Sequence, residues 1–151
     1  MLFRSDPIRV AYSRYSAALS LHWTGDSAAA VAAIAAADAA IAHLATAHPD
    51  TELLTWHTAR HNHNAARILR RAERCADALP RAEAAAIGFR AIDATDQATR
   101  ADYERAVLLI DLNRSTEAEK ILTEAVAALA EDHAARPMLS ELLAETRAQL
   151  T

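Results

Sequence analysis

Three stretches of the chain carry the same spacing of small residues. Ala18, Ala66 and Ala106 each stand twelve positions before Ala30, Ala78 and Ala118. Each of these opens the same run: Ala30-x3-Ile34-x2-Ala37, Ala78-x3-Ala82-x2-Ala85 and Ala118-x3-Leu122-x2-Ala125. Inside each gap lies a helix-breaking segment: Thr24-Gly25-Asp26-Ser27, Glu73-Arg74-Cys75 and Asn113-Arg114-Ser115. Residues three, four and seven apart share one face of an α-helix. Each stretch therefore reads as two helices joined by a tight turn, with small side chains where the helices cross.

Composition points the same way. Alanine, the best intrinsic helix former, is about a quarter of the 151 residues, against two glycines and four prolines. No β-branched or aromatic run alternates with period two, so nothing reads as a strand. The expected class is all-α, in one domain over residues 1–151. A chain of this length buries roughly 70% of its unfolded surface and needs no staple. The net charge of −4 argues against nucleic acid as the ligand. The sign is uneven. Residues 51–101 hold eight Arg against six acids, and residues 102–151 hold five basic residues against ten acids. Fifteen of the sixteen basic residues are Arg, which with so much Ala suggests a high-GC bacterial source. Cys75 is a lone thiol, as expected of a reducing compartment. Met1–Arg9 has no signal-peptide core, and Ala28–Ala47 is mostly alanine interrupted by Asp38 and His43. These features predict a cytoplasmic protein without a membrane segment.

Helix signals divide the chain into seven segments. Asp6-Pro7 starts the first, which runs to about Trp23. Asp26 or Ser27 caps the second, which continues to about Thr46 before His48-Pro49. Asp50 or Thr51 caps the third, to about Arg74. The fourth spans about Ala76 to Ile92, with Pro80 in its first turn. Asp96 caps the fifth, which ends near Leu112. Thr116 with Glu119 has capping-box spacing and opens the sixth. The seventh runs from Pro137 to about Gln149. Paired in order, these make three hairpins and one final helix.

The segment from Ala106 to Ala125 resembles the tetratricopeptide-repeat family in its order of small residue, large residue, turn, Ala, large residue, Ala. Gly25-Asp26 matches that family's turn, and His63-Asn64-Ala65-Ala66 its first-helix segment. The units are 48 and 40 residues apart, longer than the usual repeat of about 34. The position after the crossing alanine is Ile34, Ala82 and Leu122. The resemblance covers roughly residues 11–150 and implies stacked TPR-like hairpins in a short right-handed superhelix, with the last helix as a cap. It further implies that the first helix of each hairpin lines a concave groove for peptides. Similar repeats form the sensor half of bacterial helix-turn-helix regulators.

Helical geometry assigns the groove residues. One stripe of the third helix is Arg60, His63, Asn64, Arg67, Arg70, Arg71 and Arg74; the opposite stripe is Leu54, Ala65, Ile68, Leu69 and Ala72. The first stripe is expected to be open and basic. The same register places Tyr12, Tyr15, Leu19, His22 and Trp23 on the first helix, and Arg100, Tyr103, Glu104, Val107 and Asp111 on the fifth. The candidate ligand-binding set is thus Tyr12, Tyr15, Arg60, His63, Asn64, Arg67, Arg71, Arg100 and Tyr103. Arginine forks hold carboxylates, and tyrosine faces hold apolar groups. The resemblance places Asn64 where such proteins bond a ligand backbone; the matching positions are Ser16 and Glu104, so a two-carboxylate clamp is incomplete.

Other constellations are poorer. His57 and His61 lie one turn apart, but a structural zinc site needs four ligands, and two histidines leaning toward the apolar stripe read as core residues. Cys75 lies near Arg71 and Arg74, which would lower its pKa, but a lone Cys at a helical turn reads as inert. No Gly-rich phosphate loop, H-E-x-x-H or G-x-S-x-G motif is present. The expectation is a noncatalytic protein- or peptide-binding module without metal or cofactor, with an acidic partner. The alternatives are a sensor domain of a regulator, a small-molecule pocket near Trp23, Trp56 and Tyr15, and an adaptor that homodimerises through the alanine face of residues 28–42.

Overall fold

The structure, a computed structural model, describes residues 7–47 and 52–151. The caps expected at Asp6, Asp50 and Thr51, and the His48-Pro49 stop, lie outside the described residues. Among the described residues are seven α-helices and no strand: α1 (Pro7–Trp23), α2 (Ser27–Ala47), α3 (Glu52–Arg71), α4 (Cys75–Ala91), α5 (Thr95–Asp111), α6 (Ser115–Ala128) and α7 (Arg136–Leu150). The side chains of Tyr12, Tyr15, Ala18, Leu19 and His22 lie outside the described part of α1.

One turn is used repeatedly. Glu73, Asp93 and Asn113 have φ of 59°, 55° and 59°, and stand twenty residues apart. After each, a backbone N–H reaches back to close the helix end. Arg74 donates to the Leu69 carbonyl at 2.9 Å, Ala94 to Phe89 at 2.9 Å and Arg114 to Leu109 at 2.7 Å. These are Schellman closures, which need a left-handed residue just past the helix. Asp and Asn tolerate that conformation, and Gly25 (φ 86°) serves the same purpose after α1. The turns at residues 73 and 113 were visible as helix breakers; the one at Asp93 is the same device.

The closure also corrects several helix starts. Three residues, the left-handed one flanked by a cap residue on each side, separate α3 from α4, α4 from α5 and α5 from α6, so α4, α5 and α6 begin at positions 75, 95 and 115. Arg74, Ala94 and Arg114 occupy the cap positions without a side-chain cap bond. Thr116 and Asp96 therefore lie inside their helices and do not cap them. Pro80 is the sixth residue of α4, in its second turn rather than its first, and faces solvent. At α2 the expectation holds: Asp26 Oδ1 accepts the Ala29 N–H at 2.9 Å.

The helices pack in sequence, α1 on α2 through to α6 on α7, and α3 also touches both α1 and α5. The hairpins thus stack with their first helices side by side. Every described position of the repeated pattern is buried: Ala30, Ala66, Ala78, Ala106 and Ala118 have no exposed surface, and Ile34, Ala37, Ala82, Ala85, Leu122 and Ala125 join them. Small side chains at the crossings let the helix backbones approach closely. Where α4 crosses α3, a Cβ built on Gly88 would come within 2.9 Å of the Ala59 Cβ. α7 seats Leu139 and Leu143 in the principal core.

By length and composition alone, Ser27–Ala47 could cross a membrane, with a mean hydropathy of 1.8 over its most apolar window. In this fold one face of it is buried, through Ala30, Ile34, Ala37, Ile41 and Leu44, and 28% of that window is buried in all. Its Asp38 forms a fork with Arg81 of α4, two bonds of 2.6 Å each, and meets Nε2 of His61 at 2.7 Å. Arg81 also donates to Asn62 Oδ1 at 3.0 Å. This polar cluster ties the first hairpin to the second.

Candidate functional site

The arginine stripe of α3 does not stay open along its length. Arg60 and Arg71 are exposed and Arg67 and His63 half-buried, whereas Asn64 is buried at 8%. Arg74 pairs with Asp77 of its own turn at 2.8 Å. Arg71 lies over the Trp23 ring, 6.0 Å from its centroid. Arg70 donates from Nε to Glu104 Oε1 at 2.7 Å, and Glu104 is itself buried. Burial alone would lower the Arg70 pKa, but the Glu104 hydrogen bond and charge raise it above the ordinary arginine value.

A cleft of about 590 Å³ opens between α3, α5 and the connection before α7. It brings together four of the candidate residues: His63 and Arg67 from α3, Arg100 and Tyr103 from α5. Arg60, Asn64 and Arg71 do not line it, and Tyr12 and Tyr15 fall outside the described side chains. Arg67 and Arg100 have no ion-pair partner among the described residues. The Nδ1 atom of His63 is buried with no hydrogen-bond partner among them. Burial, and then the charges of Arg67 and Arg100 against the opposing pull of Glu104, keep the His63 imidazole below its ordinary pKa.

The far wall of the cleft was not legible in the sequence. It is made by His133, Ala134, Ala135 and Met138, facing Asp96. His133 Nδ1 accepts the Ala135 N–H at 3.1 Å, so the proton sits on Nε2, which donates to Asp96 Oδ1 at 2.9 Å. Arg136 then closes α6, donating from Nη1 to the carbonyls of Val126 and Leu129 at 3.0 and 2.7 Å. These contacts pin the connection against the N-terminus of α5. Periodicity could not reveal them, because the partners lie in a non-helical segment 37 residues from Asp96.

α5 carries a second opening on its opposite face. Thr95, Ala98, Thr99, Asp102 and Arg105, spaced at three and four, floor a cleft of about 800 Å³ between α4 and α6. There the buried Asp102 carboxylate already receives Arg90 and Arg105. Arg90 and Arg105 are thus paired within the fold, although the buried Nε of Arg105 has no hydrogen-bond partner among the described residues.

The remaining constellations resolve as structure. His61 is buried and paired with Asp38; burial keeps its pKa below the ordinary value despite that carboxylate. Among the described residues no group of three or more His, Cys, Asp and Glu is arranged to hold a metal. Burial and Asp111 push the Cys75 thiol up, outweighing the Arg70 charge. Trp56 packs edge-on against Phe89, 5.5 Å between centroids, while Trp23 is exposed beside Arg71 at the other end of α3. The two tryptophans therefore do not share a pocket.

No family model matches the chain, and no curated protein matches it. Among solved structures it is similar to the nearly identical TPR-like repeats of a kinesin light chain from Podosopora anserina. That likeness has 15% identity and a TM-score of 0.39, and covers 95% of this chain and 88% of the other.

Proposed function

We propose that the chain is a noncatalytic protein- or peptide-binding module that takes an acidic segment into the cleft between α3 and α5. The supporting observation is the contrast among its arginines. Arg70, Arg74, Arg81, Arg90, Arg105, Arg114 and Arg147 all have carboxylate partners within the fold. Arg67 and Arg100 have none among the described residues, and both face the same cleft. Arg67 is half-buried and Arg100 exposed, and a guanidinium fork matches the paired oxygens of a carboxylate. Tyr103 and Met138 supply an apolar wall beside them.

A peptide library selected on the protein tests this reading. Selected sequences are expected to be rich in Asp and Glu and to lose affinity as salt rises, since exposed charges are screened within ~8 Å at physiological ionic strength. Arg67→Ala should weaken them several-fold, whereas Arg147→Ala, whose side chain is held by Glu119 at 2.9 Å far from the cleft, should not. Equal affinity for the two variants would move the site elsewhere.

A second reading rests on α2. Ala28, Ala32, Ala35, Ala36, Ala39 and Ala42 are exposed, a face without charge where a second copy of the helix could approach closely. Analytical ultracentrifugation across a wide concentration range should then show a dimer, and an Ala35→Glu variant should be monomeric. A strictly monomeric parent protein at high micromolar concentration removes this reading.

A further inference from the structure

His63 lines the groove, and its Nδ1 is a buried atom with nothing to bond among the described residues. Such an atom carries the desolvation penalty of an unmade hydrogen bond, and a native fold that keeps one invites a missing partner. Arg67 lies one turn further along the same helix, and Arg100 faces it from α5. The other charged groups around the cleft are already engaged. Arg70 is bonded to Glu104 and Asp96 to His133, leaving the Tyr103 hydroxyl as the remaining polar group on α5. The opening thus presents two guanidiniums and an imidazole without an acceptor of their own.

We propose that His63, Arg67 and Arg100 form one oxyanion subsite, and that filling it draws a proton onto His63. The inference rests on the groove reading above and deepens it. Burial above all, and Arg67 and Arg100 against the opposing charge of Glu104, lower the pKa of the imidazole. A seated oxyanion cancels those positive charges and accepts a hydrogen bond from the protonated His63 ring, and both effects favour the imidazolium. By linkage, an anion that prefers the protonated ring is bound with uptake of a proton, and more tightly as pH falls. The oxyanion is a carboxylate or a phosphoryl group; both offer the paired acceptors a guanidinium fork requires.

Acetate and sulfate serve as probes of the two sources, with chloride at matched ionic strength as the control. The His63 imidazole resonances of the whole chain, assigned with a His63→Gln variant, are followed by NMR between about pH 5 and 8, the range over which histidine titrates. One or both anions should move the His63 midpoint up by about one pH unit relative to chloride, a tenfold preference for the protonated ring. A shift with acetate alone assigns a carboxylate, and a shift with sulfate alone a phosphoryl group. Arg67→Gln and Arg100→Gln should each abolish the anion-dependent shift. Identical His63 midpoints in all three salts would overturn the proposal, as would a shift that survives both substitutions. The titration uses no peptide. Failure here therefore removes the proton link while acidic peptide binding can stand, and failure of the peptide selection leaves this result readable.

Discussion

Glu104 accepts the Nε–H of Arg70 at 2.7 Å while lying 5% exposed. One carboxylate on α5 thereby removes one arginine from the α3 stripe, and the free positive charge of the groove narrows to Arg67 and Arg100. The same bond joins the first helices of consecutive hairpins, so it shapes the groove and fastens its two walls together.

Glu104→Gln should separate these two roles. Losing a buried charge-assisted hydrogen bond is expected to cost about 1–3 kcal/mol in chemical denaturation. It also releases Arg70 toward the cleft, so acidic peptides should bind more tightly to the variant than to the parent. Weaker binding of acidic peptides would show that Glu104 itself contacts the ligand.

Helix crossings should tolerate no added bulk. Ala118 is fully buried, and Ala118→Leu is expected to overpack and destabilise by ~1–3 kcal/mol. Gly88→Ala puts a methyl 2.9 Å from the Ala59 Cβ, so it should also destabilise although alanine is the better helix former. A gain in stability for Gly88→Ala would mean that α3 and α4 separate easily at that point.

The three left-handed turn residues are not equivalent. Glu73 sits at φ 59° without the local bonding that suits Asn and Asp to that region. Glu73→Gly should raise stability by ~0.5–1 kcal/mol, the relief of strain exceeding the added chain entropy. Equal or lower stability in urea unfolding would count against strain at this turn.

Acid should loosen the fold before carboxylates titrate. Burial depresses the pKa of His57 and His61 and, aided by Arg67 and Arg100, that of His63. The unfolded chain then binds protons more readily than the folded one. Their stabilising contribution is complete above the ordinary histidine value of 6.5 and is lost as pH falls below it toward the folded values. The slope is at most ~1.4 kcal/mol per pH unit for each ring. Asp38 adds a lower step. Burial would raise its pKa, but Arg81 and His61 hold it below 3.8, so its contribution is present above that value and disappears as pH falls through the folded one. Thermal melts from neutral pH downward measure both, and a midpoint unchanged between pH 7 and 5 would contradict the histidine step.

Much of the architecture is written locally. Helix period, turn-forming residues and the spacing of small side chains act within one or two turns, so the seven helices and the buried positions of the repeated pattern can be read from the chain. Groove membership was half legible: helical spacing brings His63 and Arg67 to one stripe, and Arg100 and Tyr103 to another. It could not tell which charges would be neutralised. Arg70 meets Glu104 across 34 positions, Arg81 meets Asp38 across 43 and His133 meets Asp96 across 37. Those pairings depend on a few ångströms of approach between helices, which only their packing decides. Asn64, expected on an open stripe, is buried for the same reason. The sequence by itself determined a stack of helical hairpins with an arginine-rich face; tertiary packing decided that Arg70 is tied to Glu104 while Arg67 and Arg100 line the cleft beside His63 with no carboxylate partner among the described residues.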